Sequence, residues 1–107
     1  MKRGDLVTIA VSGDYGKPRP ALIVQADAFA DHPSLTVLPL TSELISAPLV
    51  RVTVEPHHGT GLRRRSQVMV DKATTIPRAK VGNRIGQLDT AAVNRVSRAL
   101  AAFLGLG

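Results

Sequence analysis

Pro18-Arg19-Pro20-Ala21-Leu22-Ile23-Val24-Gln25 brackets an arginine between two prolines and then runs into unbroken apolar side chains. The stretch from Pro20 to Gln25 reads as a strand, and its continuous apolar character predicts burial on both faces. A second run, Leu35-Thr36-Val37-Leu38, closes on Pro39-Leu40-Thr41-Ser42. Each run therefore sets a polar side chain at the mouth of a buried strand. Proline locks its own φ and restricts the residue before it, so Arg19 is held as a permanent positive fork. Thr41 offers a hydroxyl, and a guanidinium beside a hydroxyl is a donor set that suits a phosphodiester.

Working outward, Asp5-Leu6-Val7-Thr8-Ile9-Ala10-Val11 is rich in β-branched residues and reads as a strand ended by the turn formers Ser12 to Gly16. Asp27 to Ser34 reads as a loop, with Phe29 as an apolar plug. Leu49 to Glu55 alternates apolar and polar side chains, the mark of a half-exposed strand. His57-His58-Gly59-Thr60-Gly61 turns the chain, Ser66 to Asp71 supplies a fifth strand, and Arg84 to Leu88 a short sixth. The period then changes. Asp89 or Thr90 is placed as an N-cap. Val93, Val96, Leu100 and Phe103 or Leu104 follow at helical spacing on one face, and Gly105 ends the helix. Several short strands and one amphipathic helix predict a mainly β (α+β) domain: a small, strongly bent antiparallel β-barrel with a C-terminal α-helix.

The chain has 107 residues, enough for one domain spanning residues 1–107 with one modest core. It has no cysteine, which excludes disulfides, thiolate catalysis and cysteine zinc sites. His57 and His58 are adjacent and in an extended chain point to opposite sides; with His32 they form no zinc spacing. No metal and no cofactor is expected. There is no run of about twenty apolar residues, and Met1-Lys2-Arg3-Gly4-Asp5 lacks the apolar stretch of a signal peptide, so the expected location is cytoplasmic and no membrane partner is expected. Gly59-Thr60-Gly61 is a lone Gly-x-Gly without a strand-to-helix transition, hence no dinucleotide loop.

Charge is unevenly distributed. Residues 1–62 are net −1, whereas residues 63–107, with Arg63, Arg64, Arg65, Lys72, Arg78, Lys80, Arg84, Arg95 and Arg98, are net +7. Such a field favours polyanions, whether nucleic acid, an acidic membrane surface or an acidic protein segment, against the plainer reading of a solvated basic face.

In order and spacing the chain resembles the MazF/PemK toxins of bacterial type II toxin–antitoxin systems. The resemblance runs through Arg3-Gly4-Asp5, the Arg19-Pro20 strand, Phe29, Pro39-Leu40-Thr41-Ser42, Gly61-Leu62, Ser66 to Asp71, Thr75-Ile76, Gly86-Gln87-Leu88 and Phe103 to Leu106. It implies a homodimer of Src-homology-3-like barrels, an mRNA interferase that cuts single-stranded RNA without a metal, and a cognate acidic antitoxin covering the cleft. Carried over by motif position, the catalytic residues are Arg19 and Thr41, with Asp71 at an acidic position implicated in some members. Lys72 stands where glutamine is usual, Met69 where some relatives have a second arginine, and the loop before Arg19 offers Asp14, Tyr15 and Lys17.

RNA cleavage without metal uses the ribose 2′-hydroxyl as nucleophile, leaving the enzyme to accept a proton, neutralise the phosphorane and protonate the leaving oxygen. Arg19 suits neutralisation and Thr41 a further hydrogen bond. An arginine is a poor base, since its pKa stays above about 12. Asp71, Asp14 or attack with little base help are the alternatives. RNA-binding candidates are Tyr15 as a stacking ring, Lys17, Ser42, the run Arg63-Arg64-Arg65 and Lys72. Against these stand plainer readings: Thr41 and Ser42 as turn residues, Asp71 in a salt bridge, and the arginine run as solvated or gripping an antitoxin tail. Two rival functions are a CcdB-like gyrase poison, whose tryptophan motif is missing here, and a non-catalytic barrel binding nucleic acid or an acidic partner.

Overall fold

The computed structural model describes residues 1–10 and 17–107. Seven strands, β1 (Asp5–Ala10), β2 (Pro18–Ile23), β3 (Ser34–Thr41), β4 (Arg51–Val54), β5 (Ser66–Met69), β6 (Thr74–Pro77) and β7 (Val81–Gln87), precede one helix, α1 (Thr90–Leu104). The strands form one antiparallel sheet in the order β4-β5-β3-β2-β1-β7, with β6 also on β3. Among the described residues the sheet does not close: β4 and β7 end the order without pairing with each other. The fold class is the expected one, an antiparallel sheet with one C-terminal helix.

β3 organises the molecule. One edge takes β2, through Ala21↔Pro39, Leu22↔Leu38 and Ile23↔Val37. The other takes β5 at Leu40 and Thr41 and β6 from Ser34 to Val37. From Leu40 to Val37 β3 advances three positions while the facing chain advances six, from Val68 to Thr74, so three residues are extra. They are taken up by a 3-10 turn at Val70–Lys72, which carries Asp71 out of the ladder. The expected strand to Asp71 thus stops at Met69, and β6 is an additional strand that the sequence pattern does not announce.

Apolar side chains cover both faces of the central strands, as the unbroken run of β2 predicted for that strand. On one face Leu6, Leu22, Leu38, Leu40, Val68 and Val70 pack beneath Ala92 and Val96 of α1. On the other Val7, Ile9, Ala21, Ile23, Leu35 and Val37 form a second cluster. Asp89 caps α1, its Oδ1 accepting from Ala92 N–H at 2.7 Å. Gly105 ends it at φ 74°, a left-handed conformation that favours glycine.

Three expectations fail locally. Phe29 is no plug: it lies in a 3-10 turn at Asp27–Phe29 and is 57% exposed, its ring edge-on to His32. Phe103 and Leu104 are exposed because the helix outruns the sheet it packs on, whose contact ends with the partly buried Ala99 and Leu100. His57 and His58 do not diverge. They sit in a turn with ring centroids 4.2 Å apart. Among the described residues no helix is long and apolar enough to cross a membrane.

Candidate active site

The β2–β3 ladder stops at Ala21↔Pro39, where chemistry leaves it nothing to continue with. Neither Pro20 nor Pro39 has an N–H to donate. Beyond that point β2 stays paired with β1, through Thr8↔Pro20, Ile9↔Arg19 and Ala10↔Pro18, while β3 turns to β5. Two more steps of the same register would set Arg19 across from Thr41. The strands part there, and a cavity of about 770 Å³ opens, lined by Arg19, Pro20, Pro39, Leu40, Thr41 and Ser42 from their ends. Arg63, Arg64, Met69, Lys72 and Glu43 line it as well.

The structure thus brings together six of the residues singled out in the sequence: Arg19, Thr41, Ser42, Arg63, Arg64 and Lys72. The described lining carries the four cations Arg19, Arg63, Arg64 and Lys72 against the single acid Glu43. Such a wall attracts phosphate.

Thr41 does serve a turn: its Oγ1 accepts from the Glu43 N–H at 3.1 Å. That contact uses an oxygen lone pair and leaves the hydroxyl hydrogen to donate. The turn and the donor role are therefore compatible in one side chain.

Asp71 stands beside the cavity and reaches it through Lys72, whose Nζ donates to Asp71 Oδ2 at 2.9 Å. This hydrogen bond, with the positive charges of Lys72 and Arg51, holds the Asp71 carboxyl below its ordinary value despite partial desolvation. A carboxylate so held stays ionised at neutral pH and is a weak proton acceptor. Its Oδ1 is buried without a hydrogen-bond partner among the described residues.

The arginine run divides. Arg63 and Arg64 face the cavity, whereas Arg65 Nε donates to both carboxylate oxygens of Glu55 at 2.7 Å and is not among the lining residues. Lys17 is exposed just before β2 and does not line the cavity either. Tyr15 and Asp14 lie outside the described residues. Among the described residues no three His, Asp or Glu side chains converge as a metal site.

The sequence reading passed over Glu43 and the clamp behind it. Gln67, only 6% exposed, holds the segment after Thr41 through Ile45. The one available signal was a glutamine next to the apolar Val68 and Met69 in a strand with a buried face, since a buried amide must find partners.

Residues 2–104 match the family described as PemK-like, MazF-like toxin of type II toxin–antitoxin system. The chain is 47% identical over 107 residues to the Probable endoribonuclease MazF of Mycolicibacterium smegmatis (strain ATCC 700084 / mc(2)155), covering 99% of this chain and 98% of that one. Among solved structures it is similar to an endoribonuclease in complex with its cognate antitoxin from a Mycobacterial species, with TM-score 0.85, 25% identity and coverage of 100% of this chain and 97% of the other. It is also similar to the Mycobacterium tuberculosis toxin MazF-mt6, with TM-score 0.82, 25% identity and coverage of 96% and 98%. With a match over nearly its whole length, this chain belongs to the PemK-like, MazF-like toxins of type II toxin–antitoxin systems.

Proposed function

We propose that this toxin is an endoribonuclease that cuts single-stranded RNA, mRNA in the cytoplasm, without a metal ion, that it works as a homodimer, and that an acidic cognate antitoxin silences it. The observation that carries the reading is the convergence of Arg19 and Thr41, from two different strands, on one cationic cavity. The endoribonuclease relative and the antitoxin-bound structure support the activity and the partner. The exposed Phe103 and Leu104 in the last turn of α1, with Leu106 just beyond it, support a second copy as their cover.

In the proposed reaction the ribose 2′-hydroxyl gives up its proton as its oxygen bonds to phosphorus, the bond from phosphorus to the 5′-oxygen breaks, and that leaving oxygen takes up one proton, so that a 2′,3′-cyclic phosphate and a 5′-hydroxyl result with no net change in protons. Arg19 spans two phosphate oxygens with its planar fork, and the Thr41 hydroxyl donates to the charge that builds on the phosphorane. Arg63, Arg64 and Lys72 hold the flanking backbone, with Ser42 a further donor at the rim. Asp71 acts through Lys72, as its positioning residue, and its lowered pKa argues against the role of general base.

The test is incubation of the protein and its Arg19→Ala variant with a long single-stranded RNA in EDTA, followed by mapping of the ends. Cuts by the parent alone, leaving 5′-hydroxyl ends, are expected. Intact RNA with both proteins would overturn the proposal in favour of a binder or a gyrase poison.

A further inference from the structure

Glu43, the one acid in the described lining of the cavity, has no task in the reaction above, yet its backbone is fixed with unusual thoroughness. Its N–H donates to Thr41 Oγ1 at 3.1 Å, and its carbonyl accepts from Arg51 Nη1 at 3.2 Å. Two residues on, Ile45 exchanges both backbone groups with the Gln67 amide, its N–H giving to Oε1 at 3.1 Å and its carbonyl taking from Nε2 at 3.0 Å. Gln67 is buried and also accepts from Arg51 Nη1 at 3.0 Å and donates to Thr53 Oγ1 at 3.3 Å. All four polar positions of the amide are thereby used, which fixes its orientation.

A segment tied in this way presents the Glu43 side chain at one place on the cavity wall, next to Thr41. The carboxylate itself has no hydrogen-bond or ion-pair partner among the described residues. Facing a phosphate it would repel the strand that the neighbouring cations attract. Facing a base it has a partner available. Adenine, cytosine and guanine each carry an exocyclic amino group that donates to a carboxylate, whereas uracil shows two carbonyl oxygens around a single N–H.

We propose that Glu43 determines sequence specificity, its carboxylate accepting from the exocyclic amino group of a base next to the scissile phosphate and rejecting uracil there. Gln67 and Arg51 are the positioning residues that keep it in place. The inference rests on the ribonuclease reading of the same cavity.

The test uses the full chain, its Glu43→Gln variant and a single-stranded RNA library with random bases, with sequencing of the cut ends. The parent is expected to disfavour uracil by roughly ten- to a hundredfold at one position near the cut. In Glu43→Gln that discrimination largely disappears, because the new amide can donate to a uracil carbonyl, while cutting of the other sequences persists. An unchanged base profile overturns the proposal. So does an equal loss on all four bases together with loss of the acid limb of the pH–rate profile, which would make Glu43 the general base. If the parent cuts no RNA, the ribonuclease reading itself has failed, and this inference falls with it.

Discussion

Substituting alanine at four glycines, one at a time, separates what holds the Arg63–Arg64 segment in place. A Cβ at Gly86 in β7 would lie 2.3 Å from the carbonyl carbon and oxygen of Thr60 and 2.6 Å from Gly59 O, where ordinary contact is 3.4–4 Å. These are backbone atoms, so the turn must retreat by about 1 Å, and such overpacking costs about 1–3 kcal/mol. Gly61 adds a second term. Its Cβ would sit 2.2 Å from Ile85 O, and its φ is +71°, so alanine there also carries the left-handed cost of about 1–2 kcal/mol, for a total near 2–5 kcal/mol. Gly105 shares the positive φ, at +74°, but has nothing within 4 Å, which isolates the backbone term at about 1–2 kcal/mol. At Gly82 the close atom is Thr8 Oγ1 at 2.3 Å, a hydroxyl that can rotate away, so the loss is one exposed hydrogen bond to Asn83 N–H, about 1 kcal/mol or less. Urea unfolding should therefore rank Gly61→Ala as most damaging, Gly86→Ala next, and Gly105→Ala and Gly82→Ala least. At about 4–8 °C of Tm per kcal/mol for a domain of this size, the first should melt at least about 8 °C below the parent. The turn runs directly into Leu62, Arg63 and Arg64, so RNA cleavage should fall with Gly61→Ala and Gly86→Ala and not with Gly105→Ala. A Gly86→Ala protein as stable as Gly82→Ala would refute the packing of this turn on β7.

Thr41→Ala should lower the RNA cleavage rate by about a hundred- to a thousandfold, the usual cost of one electrostatic donor, while Thr41→Ser, which keeps the hydroxyl, should retain most of it in single-turnover assays. Because the Asp71 pKa is lowered on folding, unfolding takes up a proton once the pH falls below the ordinary carboxylate value. The stability that Asp71 contributes is present above that value and lost as pH falls through the folded pKa. The Tm gap between parent and Asp71→Asn should accordingly be constant from neutral to mildly acidic pH and shrink in strong acid. Arg63→Ala and Arg64→Ala should each reduce the salt dependence of RNA binding by about one unit of slope. Arg65→Ala should not, since Arg65 is engaged by Glu55 outside the cavity.

Much of this was legible from residues alone, and for physical reasons. The unbroken apolar run of β2 announced a strand buried on both faces, and the polar Arg19 and Thr41 beside prolines and apolar runs read as side chains at the mouths of buried strands. Asp89 and Gly105 bounded α1 because capping is local chemistry. What the sequence hid depends on long-range pairing. Thr74–Pro77 is short, exposed and proline-ended, and it becomes a strand only because β3 offers a free edge after the 3-10 turn. Phe29 and Leu104 are apolar, yet local geometry and helix length leave them outside the core. Within the site, residue type identified the cations. It could not show that Arg65 points to Glu55, nor that Gln67 is the buried amide that holds Ile45.

The most direct measurement is a structure of the toxin with a single-stranded RNA that carries a 2′-deoxy nucleotide at the cut position, which binds but cannot react. The account predicts one phosphate, at that nucleotide, with Arg19 nitrogens and Thr41 Oγ1 both about 3 Å from its oxygens. Arg19 and Thr41 on different phosphates, or RNA bound away from the cavity between β2 and β3, would contradict it.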